Sequence, residues 1–343
     1  MANIASRKYN DIDDAVTVYM VKKPLDMVNK AMNIAILGGD QTKIPQNSGK
    51  SISFRRYRLL DVVTTPIGEG TSNIGAVADN YMTFGADDMT ADLAEYGSWT
   101  TLTDTAELLT TNDDFNGVLE AMGKQIGHTL EVVNYNVLKT CPLQAYAGSA
   151  SSIGTVTSKI AKTDLQRVVR KLDGNDAEKV KKILSSSANM DTKNISASYV
   201  AIANSTLKQD FEAIPGWTPV HQYGSVSGFI NDNEIGQVAD VRVVTSNLYT
   251  PYVGAGATYA GADLEKDGNG KVNVYPVVIM GKGAFNTIGL KGMDSLTVKV
   301  KNPEVTPATP YGNLFVLSWR TFHAICLTGP QFIVTLNVAK SVI

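Results

Sequence analysis

The segment that decides the fold lies between residues 45 and 70, and its pattern changes halfway. Residues 45–57 read PQNSGKSISFRRY, and residues 64–70 read TTPIGEG. From Ser51 onward the chain alternates between two faces, with Phe54 and Arg56 on the same one, and this period of two predicts a strand. The proline and glycines of the second block predict a turn-rich tip.

A second extended segment follows the tip and runs from Tyr81 through Trp99 to Leu102. The simplest construction is a long two-stranded hairpin over residues 51–100. Neither face of its first strand is purely apolar, and an isolated hairpin is only marginally stable in water. We therefore expect this ribbon to lie on a neighbouring surface.

The clearest helix of the sequence covers residues 113–140. Asp113 and Asp114 suit its positive N-terminal end, and Pro142 follows its last turn. At 1.5 Å per residue the helix would be roughly 40 Å long. Its apolar stripe consists of Phe115, Val118, Leu119, Met122, Ile126, Leu130, Val133 and Val137.

Residues 1–50 have the pattern of an arm. Two helices are predicted, over residues 13–23 and 24–37, because Pro24 suits a first helical position and Gly38-Gly39 ends the apolar stripe. That stripe needs a partner surface, on another molecule or within an ordinary globular N-terminal region. The pattern alone favours neither reading.

The rest of the chain is mixed and predicts an α+β protein. Between residues 143 and 290, short strands and helices suggest a central sheet with flanking helices, and the tail returns to strands. The predicted helices cover residues 163–172 and 176–187. The predicted strands cover residues 198–203, 241–244, 272–280, 296–300, 314–319, 323–327 and 332–338.

The composition of the chain limits the classes of function that it can have. With 343 residues, 43% of them hydrophobic, the chain can build two or three domains. A net charge of −2 argues against a protein that neutralises many phosphates. Cys141 and Cys326 form no CxxC pair, which fits a reducing compartment. Because no secretory signal or long apolar run appears, we expect a soluble protein without membrane contact.

Three patterns that could carry chemistry are not supported. Residues 47–51 end like a phosphate-binding loop, but a strand follows where that motif needs a helix. Residues 263–270 begin like a calcium loop, yet Val274 stands where the closing glutamate belongs, so a surface turn is predicted. The histidines His128, His221 and His323 have no ligand spacing. We predict no catalytic, metal or cofactor site.

The basic strand Phe54–Arg58 leaves two functions open. Aromatic and arginine side chains together can stack bases and pair phosphates, as in single-stranded nucleic-acid binding proteins. The same arginines can instead pair with carboxylates across a subunit interface through their forked guanidinium groups. A third alternative, an α/β enzyme with dispersed site residues, has no motif in its favour.

The order of these segments resembles the major capsid family typified by coliphage N-four. The specific part is the block of residues 45–57 followed by residues 64–70. Supporting parts are residues 93–99 (LAEYGSW) ahead of the long helix, residues 234–238 (EIGQV) ahead of an apolar strand, and the strand over residues 316–323.

The resemblance implies the Hong Kong 97-type capsid fold, with five named parts. They would be an N-terminal arm (1–50), an extended loop (51–100), a spine helix (113–140), a peripheral domain (101–142 and 291–343) and an axial domain (143–290). It implies a major capsid protein without enzymatic activity, assembling as hexamers and pentamers of an icosahedral phage head around double-stranded DNA.

The same resemblance implies partners and places. We expect a separate scaffolding protein and a portal, a decoration protein as a further partner, non-specific contact with packaged DNA, and no covalent cross-link. The chain would be made in the host cytoplasm and end in the virion. The expected inter-subunit contacts are Arg55, Arg56, Tyr57, Arg58, Glu69 and Tyr96, with Arg55, Arg56, Arg58 and Glu69 in ion pairs.

Overall fold

The structure is a computed structural model. It describes residue 34 and residues 40–58, 60–64, 82–104, 114–180, 197–223, 231, 233–291, 296–301 and 310–342. The predicted arm helices, apart from Ile34, and the predicted glycine-rich tip, apart from Thr64, lie outside these residues.

Four strands precede the long helix, two shorter helices follow in the middle of the described chain, and strands make up most of the remainder. The strands are β1 Asp40–Ile44, β2 Ser51–Tyr57, β3 Ala86–Asp92, β4 Ala94–Thr103, β5 Gln144–Tyr146, β6 Tyr199–Asn204, β7 Thr218–Pro219, β8 Glu234–Val238, β9 Val241–Ser246, β10 Val274–Met280, β11 Asn286–Leu290, β12 Leu296–Lys301, β13 Leu314–Cys326 and β14 Ile333–Ala339. The helices are α1 Asp114–Leu138, α2 Lys162–Gly174 and α3 Lys208–Glu212.

A five-stranded sheet is built around the long strand β13. Its order is β1-β11-β13-β12, and β4 also pairs with β13, from Ala94 opposite His323 to Thr103 opposite Leu314. Strand β1 is parallel to β11, and the other pairs are antiparallel. The two predicted tail strands over residues 314–327 are therefore one continuous strand.

Helix α1 covers one face of this sheet. The predicted helix over residues 113–140 is confirmed, and its apolar stripe from Phe115 to Leu130 packs against Leu317 and Trp319 of β13. The indole Nε1 of Trp319 donates a hydrogen bond to Oε1 of Gln125 on the helix, 3.1 Å away. The packing fixes the helix along the sheet.

A seven-stranded sheet forms the second part of the structure, in the order β5-β14-β10-β6-β9-β8-β7. Its central strands are buried on both faces. Along β6, Ala201 and Ala203 face a core that contains residues of α2 and α3, whereas Val200 and Ile202 face a core that contains the end of α1. Burial on both faces explains why these strands read as continuous apolar runs.

The predicted strands within residues 198–338 are confirmed, and so is the helix over residues 163–172. The helix predicted over residues 176–187 is wrong for its described part. Asp176 takes a positive φ of 54° after α2 ends, and Val180 then pairs with Ser198 in an isolated antiparallel bridge. A left-handed residue reverses the chain and stops a new helix from starting there. Residues 181–187 lie outside the described chain.

Candidate assembly surface on the hairpin

Strands β2 and β3 form a hairpin, which is a two-stranded sheet separate from the two larger sheets. The register runs from Ser51 opposite Asp92 to Tyr57 opposite Ala86. The pairing ends at Asp92, so residues 94–100, expected in the extended loop, belong to β4 of the five-stranded sheet. The base of the hairpin is therefore continuous with that sheet.

One face of the hairpin rests on its own chain. Ile52 and Phe54 of β2, with Met89 and Ala91 of β3, pack against a buried cluster of Ile44, Ile288, Ala324 and Cys326. The ribbon was expected to lie on a neighbouring surface, and for this half that surface is the body of the same chain. The paired region supplies enough apolar side chains to cover itself against the body.

Arg56, expected in an inter-subunit ion pair, also contacts its own chain. Its guanidinium carbon lies 4.6 Å from the centre of the Phe332 ring. Arginine is attracted to the negative face of an aromatic ring in this arrangement. Within the chain, Arg56 therefore helps to hold the hairpin on the body.

The outward arginines pair across the hairpin. Nε of Arg55 lies 2.8 Å from Oδ1 of Asp88, and Nε of Arg58 lies 3.0 Å from Oδ2 of Asp87. These hydrogen bonds lower the pKa of both carboxyls and raise the pKa of both guanidinium groups. All four side chains remain largely exposed to solvent.

This pairing bears on the nucleic-acid alternative. A groove that tracks a phosphate backbone needs a net positive charge. Here Arg55 and Arg58 each have a carboxylate at bonding distance, so neither guanidinium group provides an uncompensated positive charge. The arrangement does not favour a single-strand binding platform.

The distal half of the hairpin, by contrast, exposes large apolar side chains. Val62 is 87% exposed and Phe84 76%, and Tyr57, 64% exposed, has its ring centre 6.3 Å from that of Phe84. Leu60 and Val63 are also exposed. We call these five residues the distal apolar surface. They lie at or just beyond the end of the β2–β3 pairing, and exposed apolar groups in contact, as the Tyr57 and Phe84 rings are, are typical of an interaction site.

Tyr96 and Trp99 lie on opposite faces of β4. Tyr96, an expected inter-subunit contact, is half-buried against the core between α1 and the five-stranded sheet. Trp99 is 71% exposed and lines a groove of about 300 Å³ with Lys299, Ser318 and Arg320. Sequence reasoning did not select Trp99, although the alternation along β4 separates it from Tyr96. Glu69 lies outside the described residues.

The motifs that resembled chemical sites fold as turns. Residues 46–48 form a turn, the φ angles of Asn47 and Gly49 are positive, and strand β2 begins at Ser51. Around residue 267, the Asp267 carboxylate accepts hydrogen bonds from the backbone N–H groups of Asn269 and Lys271. The carboxylate thus closes a local turn.

The other candidate residues have structural surroundings. His128 and His221 are exposed, and the imidazole of buried His323 has Nε2 2.6 Å from Oδ1 of Asn134. Both cysteines are buried free thiols. In the described parts of the chain, no cluster of three or more His, Cys, Asp or Glu could hold a metal ion, and no helix is long and apolar enough to cross a membrane.

Comparison with known proteins agrees with this architecture. The family of phage capsid proteins matches residues 85–304, more than half of the chain. Comparison with curated protein sequences finds no significant match.

Solved capsids have a similar fold. The capsid of Ralstonia phage GP4 has a TM-score of 0.62 at 12% identity over 89% of this chain and 87% of that one. The head of Helicobacter pylori bacteriophage KHP40 has a TM-score of 0.58 at 9% identity over 91% of both chains. The capsid of cyanophage P-SCSP1u has a TM-score of 0.56 at 15% identity over 91% and 89%.

The hairpin, the long helix on a sheet and the second, doubly covered sheet therefore define a subunit of the Hong Kong 97-type capsid fold, an α+β architecture, as predicted. The chain belongs to the phage capsid protein family. It is a structural component that acts by assembling into a virion shell.

Proposed function

We propose that the chain is the major capsid protein of a tailed bacteriophage and builds the hexamers and pentamers of an icosahedral head around double-stranded DNA. The observation that carries the proposal is the distal apolar surface. Five large apolar side chains project from a hairpin whose other half is already held on its own body. In water this surface is unfavourable, and a neighbouring copy would cover it.

Burial along the hairpin supports this assignment of roles. Near its base, Ile52 and Phe54 face a core of the same chain, whereas Tyr57 and Phe84 at the far end are exposed. The base fixes the direction of the hairpin, and the end is presented outward. A projecting element that meets a different surface on the next copy is a heterologous contact, which generates rings when the rotation closes.

The proposed inter-subunit contacts differ in their support. Tyr57 belongs to the distal apolar surface and has the strongest support. Arg55 and Arg58 are exposed enough to meet a neighbour while they hold Asp88 and Asp87, and they would set register more than affinity. For Arg56, Glu69 and Tyr96 the contact to another subunit rests on the sequence resemblance.

The remaining parts of the proposal also follow the resemblance. They comprise the narrower kinship to the coliphage N-four type, the division into arm, extended loop, peripheral and axial domains, and the absence of catalysis. They also comprise a separate scaffolding protein, a portal, a decoration protein, diffuse contact with packaged DNA, and a stay in the host cytoplasm before assembly.

The experiment that tests the proposal is electron microscopy of the overexpressed chain beside a variant lacking residues 62–80. The full chain is expected to give closed shells, tubes or capsomer rings. The shortened chain should stay folded, because the apolar residues of the β2–β3 pairing remain, but should not close shells. Shells of normal size from the shortened chain would refute the role of the hairpin, and uniform monomers of the full chain that retain an oligonucleotide would favour the nucleic-acid alternative.

A further inference from the structure

A buried carboxylate lies where two apolar cores meet along α1. The helix contributes Phe115 to Leu130 to the core against the five-stranded sheet, and Tyr135 and Leu138 to the core against the seven-stranded sheet. Between these two sets lies Glu131, whose side chain is fully buried. Burying a carboxylate is costly unless donors surround it, so its partners identify what the position is for.

One partner of Glu131 comes from the leading part of the chain. The backbone N–H of Ile34 donates to both carboxylate oxygens, at 3.2 Å and 3.1 Å. Ile34 itself is fully buried, and its side chain belongs to the core that contains Tyr135 and Leu138. The residue therefore docks twice, through its main chain on the carboxylate and through its side chain in the core.

A second partner of Glu131 is Tyr249, three residues beyond the end of β9. The hydroxyl of Tyr249 donates to Oε1 of Glu131 at 2.5 Å, and its ring stacks on Tyr135 with centres 4.6 Å apart. The hydroxyl of Tyr135 in turn donates to the carbonyl oxygen of Pro276 in β10, 2.9 Å away. The Glu131 carboxylate thus joins Ile34, the helix and the segment that follows β9.

We propose that Glu131 and the core around it form a docking site for the leading segment of the chain. The ligand of this site is a main-chain N–H that belongs to a branched apolar residue, here Ile34. The main-chain donor fixes where the chain passes the carboxylate, and the apolar side chain fixes how deeply Ile34 sits in the core. Glu131 is a positioning residue, which fixes the main chain at Ile34 on the body.

Ile34 and Tyr249 each donate their own hydrogen bond to the same carboxylate. Removal of the carboxylate should therefore release both, whereas removal of the Tyr249 hydroxyl should release only the Tyr249 contact and leave Ile34 bound. This asymmetry separates a docking site from a general contribution to stability.

The test is hydrogen exchange of the unassembled full-length protein, read by mass spectrometry with fragmentation to the Ile34 amide. Glu131→Met keeps the size of the side chain and removes the acceptor. Relative to the amides of β10, Ile34 exchange should accelerate about tenfold or more, the factor expected for loss of a hydrogen bond to a charged group. Tyr249→Phe should leave Ile34 exchange within about threefold of the unsubstituted protein.

Two further variants complete the design. Lys124→Met lies on the exposed side of the same helix and controls for an added apolar side chain, so it should leave Ile34 exchange unchanged. Glu131→Gln removes only the charge, so it should accelerate Ile34 exchange less than Glu131→Met does. It serves as the second variant if Glu131→Met does not fold. The proposal is overturned if Ile34 exchange in the Glu131 variants rises no more than that of the β10 amides. Failure of the protein to form shells would leave this result untouched.

Discussion

At the scale of single residues, the ion pairs on the hairpin connect strands that lie about 30 positions apart in the sequence. Arg55 binds Asp88 and Arg58 binds Asp87 with a fork that suits a carboxylate. The hairpin register thus has an electrostatic component of its own. Exchanging the charges of Arg55 and Asp88 tests whether the same arginine also acts between subunits.

The single change Arg55→Asp places a carboxylate directly opposite Asp88, and like charges opposite each other disfavour the pairing. We expect it to lower shell yield, measured by sedimentation and electron microscopy. The double change Arg55→Asp with Asp88→Arg restores the pair with its direction reversed and should restore the yield. A double variant that assembles as poorly as the single one would mean that the essential partner of Arg55 lies on another subunit.

His323 gives the chain a pH-dependent stability. Burial lowers its pKa to about 4, whereas an unfolded histidine titrates near 6.5. Between these values only the unfolded chain takes up the proton. Stability therefore falls as pH drops from 6.5 towards 4, by up to about 3 kcal/mol, and the effect of this group is complete below that range.

Urea unfolding of the unassembled protein between pH 7 and pH 4 measures this effect. His323→Gln retains a donor for Oδ1 of Asn134 and removes the titration. The difference in unfolding free energy between the two proteins should therefore narrow as the pH falls, because only the unsubstituted protein loses stability through this group. Parallel profiles would show that His323 does not titrate as proposed.

The partners of Arg55 and Arg58 could not be predicted from the sequence. Alternation showed that Phe54 and Arg56 share a face, and the structure confirms this. The opposite strand, however, starts beyond a long connection whose length does not set the register, so nothing in the sequence fixes which carboxylate meets which arginine. A register shift of one residue would have exchanged the two faces.

At the scale of elements, one half of the hairpin packs on its own chain and the other half is exposed. The prediction about assembly concerns the exposed half. Val62→Asp and Phe84→Asp each place a charge in the distal apolar surface. If that surface is buried between copies, an unpaired carboxylate there opposes assembly strongly, and we expect shell yield to fall by about tenfold or more.

Both side chains are largely exposed in the single chain, so the melting temperature of the unassembled protein should change by no more than about 2 °C. Ser53→Asp, at an exposed position of the paired region, is the matched control and should assemble normally. Normal shells from both distal variants would exclude this surface from the subunit interface.

Helices and strands were predictable where a pattern ran for long enough. The apolar stripe of α1 spans many turns, and both ends of the helix lie within two residues of the predicted limits. The helix prediction was wrong over residues 176–180 because the composition of this short stretch suits a helix, while the positive φ of Asp176 depends on the packing around it. Strand β4 was assigned to the hairpin because its partner β13 lies more than 200 residues further along.

At the scale of the whole molecule, net charge sets the expected behaviour towards DNA. The chain carries a formal net charge of −2, and the outward arginines of the hairpin already face carboxylates. Binding of the unassembled protein to a short duplex, measured by fluorescence anisotropy at physiological salt, should therefore be weak, with a Kd of about 10⁻⁶ M or higher. Nanomolar binding would contradict diffuse contact and would call for a dedicated site.

The junction between β3 and β4 has a mechanical consequence. Only Leu93 separates the two strands, and β4 is joined to β13 by the register from Ala94 to Thr103. A force applied to the hairpin by a neighbour therefore passes along β4 and loads its cross-strand hydrogen bonds together, in shear, because these bonds lie perpendicular to the strand. Bonds that must break at once resist far more than bonds that open one by one, so the ribbon can act as a tether without peeling its own sheet apart.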